Sequence, residues 1–355
     1  MTPTTPLTSP PPRPRPPWDR ALVTAGTAFL GSHICERLLD LDVEVDCVDA
    51  PGSRTRDNVA RLADRPGFRL LLLDLSDPGT PDALAGPYDL VLHLAAAEPP
   101  ADGPPHPLRT LDAAGRGTRH VLTVADRDGA RFLLASPGRA HGSRPPRPRP
   151  ADLPAADPAD PHSAHDESVR FSEALTTAYA SDKGTDAGIV RVFPTHGPRM
   201  RAGDGGPVAT FIERALAGEP LTLTGEGGRV HSLCYVDDMV DGVLLVAAGR
   251  SVRPVDIGDD ETAVPEIDIA RRVIELTGSA SRLEFSDPEP ASRPADGPDE
   301  CGAPLPDTAF ARELFGWAPK VPWEEGLKRT IAHFTDARPP RSSRAAGHER
   351  GEWSA

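Results

Sequence analysis

The sequence predicts an α/β fold, a doubly wound parallel sheet with a smaller C-terminal lobe. Short runs rich in Val and Leu alternate with amphipathic stretches of helical length, which is the pattern of a parallel sheet covered by helices. The first run is followed by a turn with two glycines and then by a helical pattern, the order in which dinucleotide-binding folds begin. A chain of 355 residues with 38% hydrophobic content is long enough for one compact unit of two lobes.

The apolar runs predict the strands of the main sheet in chain order. Six strands are expected, at residues 21–24, 43–48, 69–73, 90–94, 131–135 and 188–193. The amphipathic stretches between them predict helices near 30–40, 106–128 and 165–183. Later elements predict the second lobe and the far edge of the sheet, with strands at 221–223 and 254–257 and helices at 236–248, 264–277, 307–315 and 323–334.

The composition argues against several classes of partner. The formal net charge is −14 and the pI is near 5.2, so the surface repels nucleic acid and anionic lipid alike. No apolar stretch is long enough to span a membrane, and the N-terminus has no apolar signal-peptide core. The four cysteines show no CxxC pairing, which is typical of reduced thiols. We therefore expect a cytoplasmic protein with no nucleic-acid or membrane partner.

Proline-rich segments mark the ends of the predicted lobes. The chain has 42 Pro and 32 Gly, and the excess lies where no hydrophobic period survives. Disordered tails are expected at 1–17 and 336–355. The first lobe is expected to comprise 18–192 plus 233–258, and the second, smaller lobe 193–232 plus 259–335.

The turn after the first strand is the candidate phosphate loop. It reads Ala25-Gly26-Thr27-Ala28-Phe29-Leu30-Gly31. Such loops favour glycine where the turn is tight and where the backbone approaches a pyrophosphate. Ala25 and Ala28 stand at two of the three glycine positions, which predicts weakened dinucleotide binding. The alternative is that this segment is now only a packed turn between a strand and a helix.

Two acidic residues at strand ends are further candidates. Asp49 closes the second strand, where a carboxylate can hold a ribose diol. Asp74 follows the third strand and is placed to contact an adenine edge. Either residue is also compatible with a solvated strand end.

A series of motifs runs along the chain in a fixed order. They are Phe29-Leu30-Gly31-Ser32-His33, His93-Leu94-Ala95, the segment 130–136, Gly197-Pro198-Arg199-Met200, Cys234-Tyr235-Val236-Asp237-Asp238 and Gly316-Trp317. In order and spacing they resemble the NAD-dependent epimerase/dehydratase family, most closely its UDP-glucuronate decarboxylase branch, over roughly 21–334. The resemblance implies a Rossmann-type lobe for NAD, a smaller lobe for a sugar nucleotide, and a mechanism in which bound NAD oxidises C4 of the sugar. The candidate cofactor-binding residues are Gly26, Phe29, Leu30, Gly31, Asp49, Asp74, Leu75, Leu94 and Ala95.

The positions that would carry this chemistry depart from the family. The implied mechanism requires a phenol that takes the hydroxyl proton, an ammonium that lowers the pKa of the phenol, and a hydroxyl donor. The corresponding residues are His165, Val169 and Pro137. The acid that would assist loss of carbon dioxide corresponds to Arg139. No catalytic residue of the family is therefore intact, and no metal site is expected.

The substrate contacts implied by the resemblance depart in the same way. The tyrosine that precedes Gly197-Pro198 in the family is His196 here. Two arginines that would hold the pyrophosphate correspond to His231 and to Pro304 or Leu305. The residues left as candidate substrate contacts are Arg139, His196, Arg229 and His231, with Arg293 as another replacement for a lost arginine.

Two functional hypotheses follow from these departures. The first is a catalytically degenerate family member that weakly binds a dinucleotide or nucleotide-sugar ligand, or regulates an active partner. The second is an active nucleotide-sugar enzyme, a decarboxylase or an epimerase, that uses His165 as its base, because histidine titrates near neutral pH. Reduction of bound NAD distinguishes the two. A third hypothesis, a dinucleotide sensor, requires binding without turnover.

A Tyr-x-x-x-Lys pattern does occur, at Tyr179 to Lys183. Fourteen residues of helix separate His165 from Tyr179, which is about 21 Å at 1.5 Å per residue. We therefore predict that this pattern lies outside the nucleotide cleft.

The helices predicted at 106–128 and 165–183 are candidates for a subunit interface. Family members commonly pair these helices into an intermolecular four-helix bundle, so the resemblance implies a homodimer or a heterodimer with an active homologue. Apolar residues recur on both at helical spacing: Val121, Leu122, Ala125, Phe171, Ala174, Leu175 and Ala178. The same stripe is compatible with packing of each helix on its own sheet.

Overall fold

A computed structural model describes residues 16–94, 107–138, 163–201, 204, 206–251, 253–286 and 305–337. The strands in chain order are β1 (Arg20–Thr24), β2 (Glu44–Asp49), β3 (Phe68–Leu72), β4 (Leu90–His93), β5 (Arg131–Pro137), β6 (Ala187–Val192), β7 (Thr195–His196), β8 (Leu221–Thr224), β9 (Val230–Ser232), β10 (Cys234–Tyr235), β11 (Val255–Ile257), β12 (Ala263–Pro265) and β13 (Leu283–Ser286). The α-helices are α1 (Phe29–Asp40), α2 (Thr80–Ala83), α3 (Pro107–Asp112), α4 (Thr118–Asp128), α5 (Ser163–Ala178), α6 (Pro207–Ala217), α7 (Val236–Ala248), α8 (Glu266–Thr277), α9 (Ala309–Phe315) and α10 (Trp323–Asp336).

Seven strands form one parallel sheet in the order β11-β6-β5-β4-β1-β2-β3. Every neighbouring pair in this sheet runs parallel. The chain winds outward from β1 through β2 to β3, then crosses to β4 on the other side of β1. The predicted doubly wound fold is thus confirmed, and the crevice between β1 and β4 is its topological switch point.

Side chains of the central strands alternate between two hydrophobic cores. Ala21 and Val23 of β1 pack with α1 and α7 on one face, whereas Leu22 packs with α4 on the other. This alternation is the period of two of an extended chain. Because both faces are covered, these strands read as nearly continuous apolar runs.

The predicted elements match the observed ones to within about two residues at most ends. Helix α6 was missed, although Pro at its first position and Gly218 after its last residue are ordinary start and stop signals. The long helices are less regular than predicted. π-Helical segments follow α3 at Ala113–Gly117 and α5 at Tyr179–Lys183.

The structure agrees with two expectations drawn from composition. Cys35, Cys47 and Cys234 are buried free thiols, while Cys301 lies outside the described residues. Among the helices that the structure describes, none is long and apolar enough to cross a membrane. The predicted tails lie almost entirely outside the described residues.

Candidate nucleotide-binding site

A cleft of about 690 Å³ opens at the carboxyl ends of the central strands. Its walls are the loop after β1, the ends of β2 through β6, helix α3, the start of α6, and the segment around β9. Doubly wound sheets bind their ligands at this edge. The cleft is therefore the candidate site.

Most of the predicted cofactor residues meet in this cleft. Those that line it are Phe29, Leu30, Gly31, Asp49, Asp74, Leu75 and Leu94. Gly26 lies behind the wall instead, where a Cβ would come within 2.6 Å of the Cys47 sulfur. Ala95 lies outside the described residues. The sequence thus identified residues of one wall of the cleft. Gly26 lies behind that wall, where its small size allows close packing against Cys47.

The loop after β1 keeps the backbone shape of a glycine-rich turn without the first glycine. Ala25 has a φ of +48°, in the left-handed region that favours glycine. Gly31 packs against it so closely that a Cβ there would lie 2.3 Å from the Ala25 carbonyl oxygen. Ala25 and Ala28 both face the cleft. Each carries a methyl group that a glycine at the same position would lack.

The first turn of α1 is available to an anion. Ala28 precedes the helix and provides no side-chain hydrogen bond, and the first turn carries no acidic residue. Backbone N–H groups at such a helix start, together with the helix dipole, attract phosphate. A pyrophosphate placed here would meet the crowded loop and the favourable helix end together.

The two acidic candidates differ in how they are held. The Asp74 carboxylate accepts hydrogen bonds from the Ser76 N–H, at 2.9 Å, and from the Ser76 hydroxyl, at 2.7 Å. These bonds, with a smaller contribution from Arg109, hold the pKa of Asp74 below its usual value. Asp49 accepts hydrogen bonds from the Thr27 N–H, at 3.1 Å, the Thr27 hydroxyl and the Ala50 N–H. Asp74 is therefore positioned by its own loop, whereas Asp49 is positioned mainly by the loop after β1.

Two of the motifs that carry the resemblance bind one another. The buried Arg199 guanidinium donates to the Ser32 hydroxyl at 3.1 Å, to His33 Nδ1 at 3.0 Å and to Glu36 at 2.6 Å. The His33 Nε2–H donates to the Pro198 carbonyl oxygen at 2.8 Å, so the ring is neutral. Burial and the Arg199 charge lower the pKa of His33 to about 3. This contact anchors α1, and with it the phosphate loop, to the segment that follows β7.

A buried polar chain fixes the floor of the cleft. His93 lies between the Thr24 hydroxyl, 2.8 Å from Nδ1, and the Thr118 hydroxyl, 3.0 Å from Nε2. Thr118 continues the chain to the Ser172 hydroxyl at 3.2 Å. The Leu94 N–H donates to the Thr24 hydroxyl at 3.1 Å, which orients Leu94 toward the cleft. Burial lowers the pKa of His93 to about 4, and a neutral ring suits this position.

The opposite end of the cleft lies at the end of β5. Ser136 and Pro137 line it at the end of β5, and the buried Ser136 hydroxyl has no hydrogen-bond partner among the described residues. His165 and Val169 lie near the start of α5, which contributes nothing to the described wall. Val169 is only 2% exposed. No pair of a proton acceptor and a cation faces the described part of this end.

The predicted substrate residues are only partly brought together. Arg229 and His231 line the cleft, and His231 Nε2 lies 3.4 Å from Glu266. His196 does not line it: the ring is 1% exposed and packs edge-on against Tyr235 beneath α10. Its burial follows from β7 pairing with β10, a contact that the motif alone does not reveal. Leu305 lies elsewhere on the surface, and Arg139, Arg293 and Pro304 fall outside the described residues.

Several lining residues were not predicted. Arg109 and Asp112 reach the cleft from α3, Phe193 from the end of β6, and Asp204 from the segment before α6. The strand-end position of Phe193 could have suggested it, because parallel strands present their carboxyl ends to one edge. Nothing in the local sequence distinguishes Arg109 or Asp112 from ordinary surface residues of a helix.

The Tyr-x-x-x-Lys pattern lies where the helix geometry predicted. The Tyr179 hydroxyl is 3.4 Å from the Thr123 hydroxyl, and the Lys183 ammonium is 3.5 Å from Asp126. Thr123 and Asp126 belong to α4, and Tyr179 and Lys183 are not part of the cleft wall. This pattern joins two helices and does not serve the site.

Comparison with known proteins agrees with this geometry. The model of the NAD dependent epimerase/dehydratase family matches residues 21–258. The chain is similar to UDP-glucuronic acid decarboxylase 1 of Xenopus tropicalis, with 33% identity over 317 residues, 89% of this chain and 72% of the relative. It is similar to UDP-glucuronic acid decarboxylase 3 of Arabidopsis thaliana, with 32% identity over 330 residues, 90% of this chain and 92% of the relative. The solved UDP-glucose 4-epimerase of Thermus thermophilus, in complex with NAD, superposes with a TM-score of 0.73 at 27% identity, covering 90% of this chain and 100% of that one. This chain therefore belongs to the NAD-dependent epimerase/dehydratase family.

Proposed function

We propose that this protein is a catalytically degenerate member of its family, which binds an adenine dinucleotide in the cleft without running the family's proton-transfer chemistry. The observation that carries the proposal is the set of residues at the family's proton-transfer positions. Pro137, which corresponds to the family's hydroxyl donor, lies in the wall, and Val169, which corresponds to its ammonium, is a buried valine on α5 outside the described wall.

Several features favour NAD as the ligand. The open first turn of α1 suits a pyrophosphate, Asp49 suits a ribose, and Asp74 with Leu75 suits an adenine edge. Membership of an NAD-dependent family and the NAD-bound epimerase neighbour support the same ligand. When bound, NAD would supply a hydride acceptor, while the residues named here would hold and orient it. The Ala25 and Ala28 methyl groups weaken this binding.

The alternative, an enzyme that uses His165 as its base, has less support. A general base must lie within hydrogen-bond reach of the proton that it removes. His165 is on α5, which supplies no residue to the described wall, and the cation that would assist it is replaced by Val169.

The test is product formation from UDP-glucuronate in the presence of NAD. We expect no UDP-xylose above a control without protein, and the Arabidopsis relative serves as the positive control. The double variant His165→Tyr with Val169→Lys is expected to remain inactive, because Pro137 and His231 still depart from the family. Product from the wild-type chain would overturn the proposal. Product from the double variant alone would show that only the proton-transfer pair is missing.

We also propose that the protein pairs with a second copy, or with an active relative, through α3 and α5. Val121, Leu122 and Ala125 are fully buried in the core beside the sheet, so these three residues follow the alternative that the stripe packs on its own sheet. The exposed large apolar residues on α3 and α5 are Phe171 at 48%, which belongs to the predicted stripe, and Leu108 at 78% and Leu111 at 43%, which do not. An apolar patch of this kind marks an interface.

The pairing is tested by light scattering of a Leu108→Asp variant. A charge at the centre of the patch should convert a dimer to a monomer and abolish co-purification with a co-expressed active homologue. Leu314→Asp, on α9 and 52% exposed, is the matched control and should change neither result. A wild-type chain that is monomeric and captures no homologue would remove this proposal.

A further inference from the structure

The Asp49 carboxylate is already largely occupied by its own chain. Its Oδ2 accepts the Thr27 N–H at 3.1 Å and also the Thr27 hydroxyl. Its Oδ1 accepts the Ala50 N–H at 2.8 Å. A carboxylate offers about four lone-pair sites, so three internal donors leave one. The site that remains belongs to Oδ1.

The Thr27 hydroxyl cannot rotate away from Asp49 without disturbing its hydrogen bonds to two other hydroxyls. It lies 2.6 Å from the Thr55 hydroxyl and 3.1 Å from the Ser53 hydroxyl, and those two are 2.8 Å apart. Because Thr27 has one proton and Asp49 can only accept, the protons of this cluster run toward the carboxylate. Asn58 donates to the Thr27 carbonyl oxygen at 3.1 Å and fixes the backbone.

Thr27 itself does not reach a ligand. Its side chain is fully buried, whereas Asp49 lines the cleft. Thr27 instead takes lone pairs of Asp49 that a ligand hydroxyl would otherwise use.

We infer that Thr27 is a positioning residue that restricts Asp49 to a single ribose hydroxyl. A free carboxylate can accept both hydroxyls of a ribose diol, one on each oxygen. Here Oδ2 is filled, and only one hydroxyl can be held through Oδ1. The inference rests on the proposed binding of an adenine nucleotide in this cleft.

The test uses ADP, 2′-deoxy-ADP and 3′-deoxy-ADP as probes in calorimetric titrations of the full chain. For the wild type, one deoxy analogue should bind about tenfold more weakly than ADP, the equivalent of one charged hydrogen bond. The other should bind within about twofold of ADP, because Asp49 has no free lone pair for the hydroxyl that this analogue lacks.

The isosteric variant Thr27→Val frees one site on Oδ2, and the Ser53 and Thr55 hydroxyls can still bond one another. Both deoxy analogues should then lose affinity relative to ADP. Thr27→Ser retains the hydroxyl and should restore the wild-type pattern, which a merely structural role for Thr27 does not predict. Circular dichroism of each variant establishes that it is folded, and the wild-type comparison of the two deoxy analogues decides the inference even if the valine variant does not fold.

Each other pattern counts against the inference. Equal loss with both analogues in the wild type would mean that Asp49 holds the whole diol, and loss with neither would mean that it holds no hydroxyl. Failure of ADP to bind would overturn the inference together with nucleotide binding in this cleft. Binding of ADP with no binding of NAD would overturn only the proposed dinucleotide ligand.

Discussion

The two ends of the cleft contrast in how their polar groups are paired. At the end formed by β1, α1 and β4, each polar side chain joins two elements, as His93 joins Thr24 of β1 to Thr118 of α4. At the end of β5, the Ser136 hydroxyl has no described partner, and Val169 of α5, which lies outside the described wall, is a buried apolar residue. The hydrogen bonds at the first end hold elements of the fold together, whereas a buried hydroxyl without a partner adds nothing to stability.

The largest effect expected from this contrast is at Arg199, which connects α1 to the segment after β7. Arg199→Met removes the donor shared by Ser32, His33 and Glu36 and should lower the free energy of unfolding by about 3–5 kcal/mol, because three charged hydrogen bonds are lost while Glu36 keeps only Arg61. Arg65→Met, which removes an exposed pair with Asp40 on the same helix, should cost less than about 1 kcal/mol. Urea denaturation measures both. Equal effects would mean that the Arg199 cluster does not anchor the loop.

Acid should lower the stability of the protein by protonating His93, at the end of the cleft formed by β1, α1 and β4. Its folded pKa of about 4 lies below the usual 6.5, so stability from the neutral ring is complete above pH 6.5 and is lost as the pH falls toward 4. The loss amounts to about 3 kcal/mol over that interval. A His93→Gln variant should lack this part of the pH dependence. Unfolding curves of the same pH slope for both proteins would contradict the account.

A matched pair of hydroxyl deletions compares the two ends directly. Thr24→Val removes the partner of His93 and of the Leu94 N–H and should cost about 1–3 kcal/mol. Ser136→Ala removes a buried hydroxyl that already lacks a described partner, so its effect should be close to zero or slightly stabilising. Thermal denaturation is sufficient for this comparison. A large loss in the serine variant would reveal a partner for Ser136 within the protein.

The smallest effect is expected at the phosphate loop. Ala25→Gly relieves a left-handed backbone and should stabilise the protein by about 1 kcal/mol or less. It should also tighten NAD binding, most clearly when combined with Ala28→Gly. Arg250→Gly relieves a similar φ of +51° far from the cleft and should leave NAD affinity unchanged. Unchanged affinity in the double glycine variant would mean that the loop is not the limiting defect.

Sequence patterns predicted the sheet well, because buried parallel strands leave apolar runs that stand out from amphipathic helices. They also placed Asp49 and Asp74, since each directly follows a strand of that sheet. They could not place His196, whose burial depends on β7 pairing with β10. Nor could they show that the Thr27 hydroxyl donates to the Asp49 carboxylate, because that hydrogen bond joins residues 22 positions apart. Long-range contacts of this kind decide which candidates face the cleft.

The exposed stripe on α3 and α5 illustrates the same difficulty. A helical period identifies which residues share a face of a helix, but not which face its own sheet covers. Leu122 and Phe171 fit the period equally well, yet one is fully buried and the other is 48% exposed. Only the packed structure separates core residues from candidate interface residues.

The most direct test of the account is a single-turnover mixing experiment with UDP-glucuronate and protein already saturated with NAD. Absorbance of the reduced nicotinamide reports whether hydride leaves the sugar, which is the first chemical step of the implied mechanism. We expect NAD to bind and no reduced nicotinamide to accumulate, because neither Pro137 nor Val169 supplies the required proton transfer. A rise in that absorbance together with release of UDP-xylose would contradict it.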